Sequence, residues 1–290
     1  MFKDLSNGAK GALCMITGGM LMTTQDGITK WLTSEFHSGE IMFFRGLFTF
    51  VPILVIVALR SGGLEQLASR NIKGTAMRAV FGAGTSIFVV TSLAFLPLAD
   101  ALAIIFTYPI ILTALSMPML GESVGWRRWL AVCVGFAGLL LMVKPGAGGI
   151  PYYYAFPLLT ALLAALRDVA TRRLRSDDSA ISILFYSMVA GMIVGAASLP
   201  AFGAHWPSPA QWGLFAIAGI LSALSHLLTI QALLWAPGGT TAPFRYLTLV
   251  WAALIGYAVW GDVPDAWKLS GATLVVGAGL FILHRELRRR

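Results

Sequence analysis

An all-α membrane protein, with ten transmembrane helices arranged as two inverted-topology five-helix repeats, is the fold class this sequence predicts. Three observations predict it. First, 57% of the 290 residues are hydrophobic and only 12% are charged, with a mean hydropathy of +0.78. A soluble domain carries about 25% charged residues, so too few remain here to cover a water-facing surface. Second, ten apolar runs stand near 11–32, 40–59, 76–96, 100–120, 127–144, 153–172, 180–202, 210–235, 241–260 and 267–284. Most are bounded by charges, Gly or Pro, and each approaches the roughly 20 residues needed to cross a 30 Å hydrocarbon core. Third, one long stretch is written twice, the mark of an internal repeat.

The first run follows MFKDLSNGAK and continues to about Leu32 without a small-residue cleavage site, so it reads as a span rather than a removed signal. All ten runs are continuous and about twice the length of a barrel strand, which favours helices over a transmembrane β-barrel. The connection from Ser61 to Thr75 is the longest, and no soluble domain is inserted. With the N-terminus cytoplasmic, 15 of the 21 Lys and Arg residues fall on the inner side, including Lys3, Lys10, Arg78, Arg127, Arg172 and Arg290. Only Lys144 and Lys268 fall outside, and Lys30, Arg45, Arg167 and Arg245 lie within spans. That asymmetry predicts both termini in the cytoplasm.

The duplicated stretch runs from Leu96 to Met142 and again from Ala236 to Leu283. Pro97 matches Pro237 and Gly121-Glu122 matches Gly261-Asp262, both 140 residues on; after one inserted residue, Trp126 matches Trp267, Arg127 matches Lys268 and Gly138 matches Gly279. Each copy reads as an apolar helix, a Gly-acid turn and a second apolar helix. The chain divides into repeats at 1–146 and 147–290, integrated in one transmembrane domain. Five spans per half force the second half to enter the membrane from the opposite side. Inverted repeats of this kind are associated with secondary transporters that alternate access around a midplane site.

Ten spans, a 5+5 duplication and a Gly-Glu or Gly-Asp turn before the last helix of each half resemble the drug/metabolite transporter superfamily, in particular its ten-helix branch of EamA-type exporters. Within that branch the sequence is similar to bacterial inner-membrane amino-acid exporters of the YddG type. The resemblance covers essentially the whole chain. It implies a multi-pass protein of the bacterial inner membrane that exports aromatic and other neutral amino acids.

Charges within spans are costly, about 2.5–3.5 kcal/mol at a helix centre, and are functional hypotheses by default. Asp26 and Lys30 in the first span are four apart and share a face, and Asp168 and Arg172 repeat the arrangement 142 residues on (26 to 168, 30 to 172). Each pair is expected in the network closing its own side of the cavity; the structural alternative is a helix-end ion pair with a snorkelling cation. Arg45, early in the second span, is expected to pair with Asp26 or Glu40 or to attract a substrate carboxylate. Arg245 follows Pro243 in the ninth span, and Thr107-Tyr108-Pro109 offers a similar helix break in the fourth. Half-helix ends beside a cavity hold substrate charges in other transporters; a packed kink is the plain alternative.

His226 lies near the middle of the eighth span, with Ser222 and Thr229 on its face and Ser225 at its flank. An unperturbed imidazole pKa near 6.5 suits proton coupling or a substrate hydrogen bond; a His bonded between helices is the alternative. The third span answers with Thr85, Ser86, Thr91 and Ser92. Tyr108, Tyr246 and Trp251 supply large aromatics for an apolar substrate pocket. Tryptophans such as Trp31, Trp126 and Trp267 fall near span ends and read as an interfacial belt. The fifth and tenth spans carry little polarity and are expected at the periphery, as a packing or dimer surface.

Cys14 and Cys133 sit in apolar runs with no metal-ligand spacing or disulfide framework. There is no Walker A sequence, no His-Glu-x-x-His, no Gly-x-Ser-x-Gly and no basic stripe for nucleic acid. The expectation is therefore a secondary transporter rather than an enzyme. It exports neutral, especially aromatic or large apolar, amino acids by alternating access, and it needs no cofactor or metal. Its partners are the small-molecule substrate and the lipid bilayer, and it is a monomer or weak dimer. Broad metabolite or drug efflux is the alternative within transport, and a membrane enzyme the alternative outside it. Coupling to protons and facilitated diffusion both stay open.

Overall fold

The computed structural model describes residues 7–59, 65, 67–120, 126–143, 151–173, 180–203, 205–235, 244 and 247–287. Among these, ten helical segments follow one another and there is no strand. They are α1 (Asn7–Leu32), α2 (Ser38–Leu59), α3 (Ile72–Phe95), α4 in two pieces (α4a, Leu98–Ile105; α4b, Tyr108–Leu120), α5 (Trp126–Val143), α6 (Ala155–Arg173), α7 (Ala180–Phe202), α8 (Pro209–Trp235), α9 (Leu247–Trp260) and α10 (Ala266–Leu287). A 3-10 turn at Tyr152–Tyr154 leads into α6.

Helices α2, α3, α6, α7 and α8 are long and apolar enough to cross a membrane, while α4, α5, α9 and α10 supply shorter apolar stretches. α1 is less apolar for a visible reason: it carries Thr23, Gln25, Asp26 and Thr29, and all four are buried inside the protein. Its polar face is turned away from lipid, as the cost of a polar group in hydrocarbon requires.

α3 starts at Ile72, earlier than the apolar run, because Asn71 accepts a hydrogen bond from Gly74 N–H at 3.2 Å and caps the helix. Arg78, at the inner end of the predicted run, therefore sits in the second turn of the helix. The fourth span breaks where Thr107-Tyr108-Pro109 predicts. Thr107 Oγ1 donates to Ile104 O at 2.8 Å, and the helix resumes at Tyr108 with Pro109 in its first turn, where a missing N–H is tolerated. Pro243, its counterpart in the second half, lies outside the described residues.

Packing between the halves follows an inverted two-fold pattern. α1 packs on α8, and its image α6 packs on α3. α2–α8 contacts are matched by α7–α3, and α1–α9 by α6–α4. α2 packs on its own image α7, and α5 on its own image α10. The α5–α10 contact is close. A Cβ on Gly138 would lie 2.7 Å from Gly271 O, and one on Gly271 would lie 2.5 Å from Gly138 O. Both helices otherwise touch mainly α4, so they form a peripheral packing pair.

Ten crossings return the chain to the face it started from; the opposite face is called distal here. At the distal face Leu93, Leu96, Leu98 and Leu102 are buried with Tyr153, Tyr154, Leu158 and Trp260 packed against them, which joins α3, α4a, α6 and α9. A second distal cluster joins Phe36 and Phe44 to Phe215 of α8, with ring centroids 5.2 and 5.4 Å apart. α9 ends at a Gly-acid turn: Gly261 adopts φ +70°, and Gly261 N–H and Asp262 N–H donate to Tyr257 O and Gly256 O. A left-handed residue at a helix C-terminus favours glycine. The matching Gly121-Glu122 turn lies outside the described residues.

Candidate functional site

The polar interior is built from α1, α2, α3, α4b, α6 and α8. On α1, Gln25 Nε2 donates to Thr29 Oγ1 at 2.8 Å, and Arg45 of α2 donates to the same hydroxyl at 3.3 Å. Asp26 is 4% exposed, and its charged neighbour is Arg45. The four-residue pairing expected between Asp26 and Lys30 is not the one formed. Lys30 instead extends to the C-terminus of α3, where its Nζ donates to Leu96 O at 2.8 Å and to Leu93 O at 3.4 Å, and it stands 5.4 Å from the Trp260 ring centroid. A lysine at a helix C-terminus satisfies carbonyls that lack partners and meets the negative end of the dipole. That site outcompetes a carboxylate one turn away.

Glu40, the other partner considered for Arg45, is also engaged elsewhere. Fully buried at the start of α2, it accepts from His37 N–H at 3.0 Å and from His205 N–H at 2.6 Å. His37 Nδ1 in turn accepts from Gly39 N–H at 3.0 Å. The result is a capping box with His at the cap position, and it pins the α7–α8 connection to α2.

In the second half, Asp168 of α6 accepts from Tyr108 O–H at 2.5 Å and from Arg167 Nε at 3.2 Å. Arg78 of α3 lies within electrostatic reach of Asp168 and Arg167, and its Nη1 donates to Ser187 Oγ of α7 at 3.3 Å. The backbone of Arg172 is helical, and its side chain lies outside the described residues.

His226 joins the two sides. Its Nδ1 is 2.8 Å from Ser222 O. Since a carbonyl only accepts, Nδ1 carries a proton, and in the neutral form the ring would present Nε2 as an acceptor. Arg45, Arg78 and Arg167 all act electrostatically on this imidazole. Arg45, Arg78 and Arg167, on three helices, thus share one electrostatic neighbourhood with this ring; Asp26 stands in the same relation to Arg45, and Asp168 to Arg78 and Arg167.

The hydroxyl stripe expected beside His226 is divided by the fold. Ser225 Oγ donates to Ser222 O, Thr229 Oγ1 donates to Ser225 O, and Ser225 also lies 3.4 Å from Met22 Sδ. The hydroxyls of Ser225 and Thr229 are used by the backbone of α8 along the α1–α8 contact, while the His226 ring bonds Ser222 O. Ser86 is half-buried on α3. Trp251, half-buried on α9, keeps its indole Nε1 buried with no hydrogen-bond acceptor among the described residues. Arg245 and Tyr246 lie outside the described residues. The sequence places Arg78 on the inner side and Arg167 within a span without marking either as a site residue. Asn71, a capping residue ahead of Arg78, was the available signal for the first; Arg167 adjoins Asp168 and was visible as an intramembrane cation.

Comparison with known proteins gives this arrangement a setting. The model of the EamA-like transporter family matches twice, over residues 9–144 and 151–284. The chain is 30% identical over 266 residues to an S-adenosylmethionine uptake transporter of Rickettsia bellii, covering 91% of this chain and 90% of that one. It is 29% identical over 286 residues to a riboflavin transporter of Rhizobium johnstonii, covering 98% and 94%. A pseudopaline exporter of Pseudomonas aeruginosa, CntI, is 26% identical over 272 residues, covering 92% and 94%. A crystal structure shares the fold with a TM-score of 0.66 at 17% identity, covering 97% of this chain and 98% of its own. The relatives named here carry other solutes than the aromatic amino acids that the sequence resemblance implies.

Proposed function

The chain belongs to the EamA-like transporter family and is a multi-pass transporter of the bacterial inner membrane; from that premise we propose that its solute carries a zwitterionic amino-acid head on a larger flat or apolar body. The observation that supports this reading is that Arg45, Arg78 and Arg167 share the electrostatic neighbourhood of His226, with Asp26 coupled to Arg45 and Asp168 bonded to Arg167. A carboxylate is recognised by guanidiniums and an ammonium by carboxylates, and both kinds of group are present in one membrane-embedded region. S-adenosylmethionine has such a head, a sulfonium and a flat purine, and it heads the list of candidates. Aromatic and large apolar amino acids present the same head, so their export is the simpler member of the same class. Riboflavin has no amino-acid head and fits the charged groups less well.

Alternating access has no built-in direction, and the gradient sets whether solute enters or leaves. The test is uptake into proteoliposomes of radiolabelled S-adenosylmethionine, phenylalanine and riboflavin, with and without a pH gradient. Saturable uptake of one of the first two supports the reading. Uptake of riboflavin alone refutes it. Dependence on the pH gradient separates proton coupling from facilitated diffusion.

A further inference from the structure

We infer that Asp100 and Lys268 form the lock that holds the distal face closed between the two repeats during the transport cycle. Lys268 Nζ donates to Asp100 Oδ2 at 2.5 Å. Asp100 is 6% exposed and the Lys268 side chain 27% exposed, so the pair is buried at its aspartate end and only partly screened from water at the lysine. Asp100 stands in the first turn of α4a, in the first repeat, and Lys268 in the first turn of α10, in the second. The bond therefore crosses the boundary between repeats.

The two ends of the bond differ in what holds them. An aspartate in the first turn of a helix meets the positive end of the dipole and is favoured there. A lysine in the first turn is disfavoured, so the cation depends on its acidic neighbours. Asp100 is the nearest of these, and Asp265 adds to it electrostatically while accepting from Lys268 N–H at 2.9 Å. Among the described residues, Tyr153 and Tyr154 of the turn before α6, Asp262 and Lys30 are the other charged and titratable groups near the pair. The hydrogen bond from Lys30 to Leu96 stays within the first repeat, while Lys30 also faces Trp260 and Asp262 of the second without a hydrogen bond to either. The tie from Lys268 to Asp100 must break if the repeats part here.

Burial gives the pair the properties of a lock. Attraction between opposite charges grows as water is excluded, and an exposed pair is worth little. The bond is strong while the face is shut and weak once water enters, which favours two discrete states over a half-open one. Beneath it lie Leu98, Leu102 and Ala252 of the distal core. The inference needs only the inverted-repeat transport cycle and is independent of the solute.

The test is the reaction rate of a single reporter cysteine with a maleimide in the purified full chain. Cys14 and Cys133 are replaced by alanine, and Ala252→Cys supplies a fully buried reporter below the lock. Lys268→Ala is expected to speed labelling about fivefold or more, as a minor open state becomes more populated. The charge exchange of Asp100→Lys with Lys268→Asp is expected to return the rate toward the starting value. A second reporter, Ala232→Cys, is equally buried in a different cluster and should not change. An unchanged rate at position 252, an equal acceleration at position 232, or an exchange variant as fast as Lys268→Ala would each overturn the lock.

Discussion

Replacing Gly271 with alanine puts a methyl group where α5 and α10 touch. Its Cβ would lie 2.5 Å from Gly138 O, 2.5 Å from Met142 Cγ and 3.1 Å from Met142 N. Ordinary contact begins at 3.4 Å, so the overlap with a backbone oxygen is nearly 1 Å. Backbone cannot rotate aside as a side-chain tip can, and the helices must separate. Overpacking of this kind costs about 1–3 kcal/mol. Alanine also raises helix propensity by about 1 kcal/mol over glycine, which would mask part of the loss. Gly277→Ala, on the same helix, has nothing within 4 Å of the added Cβ and gains the same propensity. Comparing the two variants cancels that gain and leaves the steric cost alone. Thermal unfolding in detergent should place Gly271→Ala several degrees below Gly277→Ala. Coincident melting would refute the close approach of α5 and α10.

Three further outcomes are expected. Tyr108→Phe removes a bond to a charged acceptor worth about 1.5–3 kcal/mol; with Asp168→Asn the combined loss of stability should fall short of the sum, because both changes delete one interaction. Strictly additive losses would contradict the bond. Glu40→Gln places an amide against the two backbone donors of His37 and His205 and should lower stability by about 1–3 kcal/mol. His205→Ala keeps its backbone bond and should cost less than about 0.5 kcal/mol, as surface changes do, since the ring is mostly exposed. Gly261→Ala forces a side chain into φ +70° and should lower the melting point by the equivalent of about 1–2 kcal/mol, more than any alanine placed at neighbouring Val263.

Much of the architecture is legible in composition and in the repeat, because hydrocarbon admits few solutions for a backbone. The break in the fourth span is legible too, since Thr107 and Pro109 act on their own helix. Partners are harder to read. Asp26 and Lys30 share a face, yet spacing says nothing of the α3 C-terminus that Lys30 reaches. Glu40 looks available to Arg45 until the fold brings His205 to it from 165 residues away. Asp100 and Lys268 stand 168 residues apart, and only packing joins them. Arg78 reads as a cation at the inner end of the third span until Asn71 starts the helix early and sets it in the second turn. Local chemistry is written in the chain in order; pairings between repeats depend on which faces the inverted halves present to each other.

The central claim is that the arginines around His226 recognise the carboxylate of an amino-acid head. Competition in proteoliposomes between S-adenosylmethionine and its decarboxylated form tests it most directly, with phenylalanine and phenylalaninamide as a parallel pair. A charge-assisted bond of about 1.5–3 kcal/mol corresponds to roughly 10- to 150-fold in affinity. Removing the carboxylate should therefore weaken competition at least tenfold in the native chain, and Arg167→Gln should narrow that gap. Equal competition by the carboxylate and decarboxylated forms would contradict the claim.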